Sequence, residues 1–217
     1  MSIRPRASGI PPTVPAGASF AFGKSPFRVK GVLYQGTQGF FEQNVRGGLG
    51  ALADEIAEPE LREFITQSFL ASGWYDVMPV PALIAYEARA LRMGLEEYLL
   101  HRTRYQAKRD LGGVYSWILK LATPALVGSR LPKIMGQMFD FVRVETQRVE
   151  DDAFEVLFHG IPLPLEHWLH VCLGVYAETA MKLAGARSVD VAPPRPRAEG
   201  EIEGVRVATL EFALRWA

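Results

Sequence analysis

A single cysteine, Cys172, stands in this chain of 217 residues, so no intramolecular disulfide can staple the fold. Charge of either sign is not in excess: 24 basic residues meet 24 acidic ones. Nucleic-acid binders normally carry a basic surplus or stripe, and its absence removes nucleic acid from the expected partners. No run approaches the roughly 18 continuous apolar residues that span a bilayer. The opening MSIRPRASGIPPTVPAGASF lacks the apolar core of a secretory signal. No membrane span is therefore expected, and the expected location is cytoplasmic. Also missing are the G-x-S-x-G elbow, the phosphate-binding P-loop, the Rossmann glycine fingerprint and any zinc-ribbon cysteine set. These absences remove the main reasons to propose a particular reaction.

What is present is ordinary globular composition, 48% hydrophobic and 22% charged. The length suits one well-buried core. A near-neutral surface favours association, so a homo-oligomer or a bound protein partner is expected. Residues 1–26 are rich in Pro, Gly, Ala and Ser and read as a flexible arm. Residues 27–217 read as a single α+β domain.

FRVKGVLYQG fits either a first strand or an extended lead-in. Thr37–Ile56 has helical spacing, weakened by Gly47 and Gly48. Pro59 and its acidic neighbours start a helix through Leu61–Leu70. Ser72–Pro79 reads as a turn packed by Trp74 and Tyr75. Helices are expected over Pro81–Met93, closed by Gly94, then over Leu95–Asp110 and Leu111–Leu121. Thr123-Pro124 interrupts, and Leu126–Phe139 is the next helix. After Asp140 the period changes to two. Phe141–Val149 and Ala153–Gly160 alternate around Glu150-Asp151-Asp152, which signals a hairpin. The apolar helix Leu165–Leu183 follows, ending at Gly185. Ser188–Ala192, a Pro-rich charged loop and Val205–Trp216 make a second strand pair. The fold class is α+β: a helical N-terminal part, then an antiparallel sheet of two hairpins flanking a C-terminal helix.

His167 and His170 share a helix face, as a metal pair would, but no third ligand joins them. Cys172 lies about 140° around the helix from His167 and does not converge. No metal site is assigned. His170 alone would suffice for a haem axial bond. Cys172, in an apolar helix, reads as a small buried hydrophobe unless it is a reactive thiol. Arg104 and Lys108 align at i,i+4, either as a solvated face or as an anchor for a carboxylate or phosphate.

SGWYDVMPV (72–80), the block from Tyr105 to Phe141, MKLAGARSVDV (181–191) and FALRW (212–216) resemble a family found in myxobacteria that has no established activity. The closing order of hairpin, helix, A-G-A-R, strand and F-x-L-R-W is similar to vinyl-reductase-type ligand-binding domains. Their wider group includes haem nitric-oxide sensors and Golgi transport-particle subunits. The resemblance implies a cavity between helices and sheet that takes a small apolar ligand. Two departures limit it. The cysteine-containing G-D-P-x-C element is absent, which removes the metal or redox role tied to it. The Y-x-S-x-R pattern of the haem sensors is absent too, which argues against haem; no cofactor is assigned.

The reading that follows is a non-catalytic module in signalling or regulation, binding a small apolar or amphipathic molecule or a protein partner. Trp74, Tyr75, Tyr115 and Trp117 are the candidate walls, Arg104 and Lys108 the polar anchors, and His170 and Cys172 further candidates. An enzyme or accessory protein of secondary metabolism, using His167, His170 or Cys172, is the first alternative. A structural dimerisation protein is the second.

Overall fold

The computed structural model describes residues 20–112 and 122–217. Strand β1 (Arg28–Lys30) leads directly into α1 (Val32–Asn44). Of the extended segment expected at Phe27, only three residues are strand. The glycine pair splits the next stretch as its propensity suggests: Gly47, at φ +94°, precedes α2 (Gly48–Glu55). Helix α3 (Pro59–Thr66) begins on its proline. Trp74–Asp76, expected as a turn, is strand β2, antiparallel to β1 with Val29 opposite Tyr75. Pairing with a segment 45 or so positions away made this strand, and no local pattern could announce it.

Helix α4 spans Val80–Ala90, and Arg92 rather than Gly94 takes the left-handed conformation after it, at φ +56°. Helix α5 runs Leu95–Gly112. The helix expected over Leu111–Leu121 lies largely outside the described residues. Helix α6 (Pro124–Met138) is capped by Thr123, whose hydroxyl accepts the Leu126 N–H at 3.3 Å.

The hairpin signal is realised as β3 (Arg143–Glu150) and β4 (Ala153–Pro162), followed by α7 (Glu166–Leu183). After β5 (Val189–Val191), the Pro-rich stretch expected as a loop forms strand β6 (Arg195–Ile202). Proline is tolerated there because β6 pairs only with β7 (Val205–Trp216) and lies at the sheet edge. Glu203 and Gly204, both at positive φ, make the tight turn between them.

The sheet runs β3-β4-β7-β5, with β6 sharing the β5 edge of β7. Cross-strand pairs Val156 with Phe212 and Phe158 with Leu210 put apolar side chains on one face, towards the helices. Glu155, Glu211 and Arg215 occupy the other face and are exposed. The expected order of two hairpins around a C-terminal helix is therefore the observed one. Gly128 of α6 lies so close to the sheet that a Cβ would sit 2.5 Å from the Phe154 ring.

Candidate functional site

Tyr98, Arg102, Gln106 and Asp110 recur every fourth position of α5 and so form one stripe of that helix. A polar stripe usually faces water. Here its first member is buried, with Tyr98 fully enclosed between helices. The Tyr98 hydroxyl donates to Glu87 Oε2 of α4 at 2.5 Å, and Glu87 is only 3% exposed. Further along, Arg102 Nη1 donates to Gln106 Oε1 at 2.8 Å, and Gln106 Nε2 to Asp110 Oδ1 at 2.6 Å. Tyr176 of α7 closes the series by donating to Asp110 Oδ2 at 2.7 Å. Gly36 of α1 makes room for the Gln106 amide, since a Cβ there would lie 3.0 Å from its oxygen.

Burial raises the Glu87 carboxyl above its ordinary range, while the Arg102 charge and hydrogen bonds from Tyr98 and Thr37 oppose the rise. Burial, then the Glu87 charge, drive the Tyr98 phenol far upward. Arg102 lies over the Phe40 ring at 5.0 Å, and its Nε is buried without a hydrogen-bond partner. Thr103, one residue on, meets Cys172 Sγ at 3.5 Å. Burial pushes that thiol up to about 11, which makes it a poor nucleophile at neutral pH.

Depressions on the described surface include two that involve residues expected from sequence. One, of about 350 Å³, lies between α5 and α7 and is lined by Arg104, Val175, Glu178, Thr179, Lys182 and Leu183. Lys182 is paired with Glu178 at 2.5 Å, whereas Arg104 has no ion-pair partner among the described residues. The other, of about 240 Å³, has Phe22, Lys24, Arg28, Trp74, Tyr75 and Asp76 among its lining residues.

The residues expected from sequence thus divide between places. Trp74 and Tyr75 border the second depression and Arg104 the first. Lys108 is exposed one turn beyond Arg104, and Cys172 is half-buried against Thr103. Tyr115 and Trp117 lie outside the described residues. His170 is half-buried, 6.1 Å from the Phe212 ring and 6.4 Å from that of His167. Burial, and after it the charge of His167, lower its pKa against the pull of Glu166 and Glu96. His167 is exposed and paired with Glu96 at 2.7 Å. Glu87, Tyr98, Asp110 and Tyr176 escaped the sequence reading. The four-residue spacing on α5 was a usable signal, as was Glu87 falling on the same face as Leu83 and Ile84.

On the outer sheet face, His159 Nδ1 lies 3.1 Å from Thr209 Oγ1. Glu199 Oε2 accepts both the Thr209 hydroxyl at 3.1 Å and the Gly160 N–H at 2.8 Å. Glu145 stands 3.5 Å from Nε2, on the opposite side of the ring from Glu199. The two carboxylates bracket the imidazole instead of converging on one point. Among the described residues no group of three such side chains is arranged to hold a metal ion.

No family model and no curated protein matches this chain. Solved structures do. An oxygen-binding H-NOX domain related to soluble guanylate cyclases superposes with a TM-score of 0.58 at 12% identity, covering 86% of this chain and 94% of that one. A T. tengcongensis H-NOX variant gives 0.58 at 12% over 86% and 97%. The unliganded Fe(II) H-NOX protein from K. algicida gives 0.53 at 12% over 87% and 96%. The class defined is an α+β domain of the H-NOX type of fold. At this identity the likeness is one of fold.

That fold group implies haem, and the histidines of this chain are not placed to hold it. An axial imidazole must face an enclosed apolar cavity. His101 is exposed on α5, His159 lies on the outer sheet face, His167 is tied to Glu96, and His170 packs on Phe212. None of them lines either depression.

Proposed function

We propose that this chain is a non-catalytic module of signalling or regulation that binds a small amphipathic anion between α5 and α7. The observation that carries this reading is Arg104, a cation without an acidic partner among the described residues, at the rim of a depression with Val175 and Leu183 in its wall. Apolar wall and cationic rim match a short acyl chain with a carboxylate head. The H-NOX neighbours, one of them described as oxygen-binding, support a small-ligand role for the fold.

Decanoate is the probe, with decanol as its uncharged twin. Native mass spectrometry should show one bound decanoate, and Arg104→Ala should weaken binding about tenfold, the loss of one exposed charged contact. Equal binding of decanol, or unchanged binding by Arg104→Ala, would remove this reading.

A further inference from the structure

We infer a second, separate binding site, for a small planar aromatic anion, in the depression beside the β1–β2 pair. Its chemistry differs from that of the α5–α7 groove, and it does not depend on that reading.

The register of the two short strands sets it up. Arg28 lies opposite Asp76 and Lys30 opposite Trp74, so all four side chains project from one face. Lys30 Nζ sits 3.7 Å over the Trp74 ring and donates to the Ser72 carbonyl at 2.8 Å. The indole is thus held by a cation–π contact at a residue that is 38% exposed. Phe22 and Phe64 supply further aromatic surface, and Lys24 and Arg28 add two more cations.

One acid, Asp76, also lines the depression, but it is buried and its oxygens are taken by three hydrogen bonds. Asp76 accepts the Ser25 N–H, the Ser25 hydroxyl and the Met78 N–H. Asp140 accepts the Arg28 backbone N–H at 2.8 Å, not its guanidinium. Among the described residues, Lys24, Arg28 and Lys30 form no ion pair. Lys24 and Arg28 in the lining, with Lys30 over the indole, outnumber the single lining carboxylate and leave a locally positive rim with stacking surface. The volume of about 240 Å³ admits one or two fused rings. A flat carboxylate satisfies both features: its ring lies against Trp74 and its oxygens reach Lys24 and Arg28.

2-Naphthoate and its neutral twin 2-naphthamide test this on the full chain. Nitrogen–proton correlation spectra, with the Trp74 indole signal assigned by its loss in Trp74→Phe, should show that signal shifting saturably with naphthoate. Lys24→Ala with Arg28→Ala should weaken binding at least tenfold, while Arg104→Ala leaves it unchanged. Both charges are exposed, and melting curves matching the parent protein confirm that the double variant folds; Arg28→Gln alone, with a smaller loss, serves if they do not. An unmoved Trp74 signal, equal binding of naphthamide, or undiminished binding by the charge variants would each overturn the site.

Discussion

Tyr98 and Glu87, eleven positions apart in sequence, meet at 2.5 Å in the interior between α4 and α5, where neither residue is more than 3% exposed. Their hydrogen bond is the buried end of the polar stripe that reaches the surface at Asp110. A carboxyl so placed has lost its water, and the Arg102 charge offsets only part of that loss.

Stability should therefore fall as pH rises through the Glu87 titration. With its pKa raised in the folded state, the native protein holds the proton more tightly than the unfolded chain. Between the unfolded and folded values the native state binds more protons, so the stabilisation present at low pH is lost on going up. Glu87→Gln keeps an acceptor for Tyr98 and removes the titration. Urea midpoints measured from pH 4 to 8 should be flatter for the variant. At neutral pH they should lie above those of the parent protein. Glu87→Leu should instead cost about 1–3 kcal/mol, by leaving the Tyr98 hydroxyl unpaired.

Cys172 should resist thiol reagents in the native state. With its thiol pushed up to about 11, the thiolate fraction at pH 8 is about 0.1%, far below that of a free cysteine. Modification by a chromogenic disulfide should be slow in the folded protein and should accelerate at least a hundredfold in unfolding urea. Rapid native labelling would contradict the raised thiol beside Thr103.

At Gly128 the tolerance for any side chain is small. Alanine there places its Cβ against the Phe154 ring, and the packed ring or the helix above it must shift. Gly128→Ala should lower stability by about 1–3 kcal/mol, read as a drop in urea midpoint, even though alanine favours helix.

Glu199 ties the edge strand β6 to β4 at Gly160, where the β4–β7 register shifts. Burial works against its charge, yet the Gly160 N–H, the Thr209 hydroxyl and the charges of His159 and Arg143 hold its carboxyl below the usual range. The stabilisation is thus present above the unfolded value and lost as pH falls through the folded one. Glu199→Ala should speed amide exchange at Gly160 and along β6 by several-fold at pH 7, with a smaller difference in acid.

The α+β class and the order of hairpin, helix, hairpin were legible because alternation and helical spacing are local properties of side chains. The 3.6-residue pattern also revealed α4 and α5, and the break at Gly47. Strand β2 was not legible, because Trp74–Asp76 becomes a strand only by meeting β1. Strand β6 was hidden by Pro196 and its charges, which are tolerated at an edge that only the assembled sheet defines. Of the residues picked out by type, Trp74 and Tyr75 border one depression and Arg104 another, while Lys108 is simply exposed. Glu87 is buried only because α5 packs against its helix.

Sequence by itself determined the hairpins around the C-terminal helix, because their periodicities fix which faces must be buried. Tertiary structure alone decided which polar groups went inside with them. Tyr98 and Glu87 are buried because each supplies the other with the hydrogen bond that water would otherwise have made. Local spacing marks each residue's face, but only the packing of α4 on α5 makes them partners.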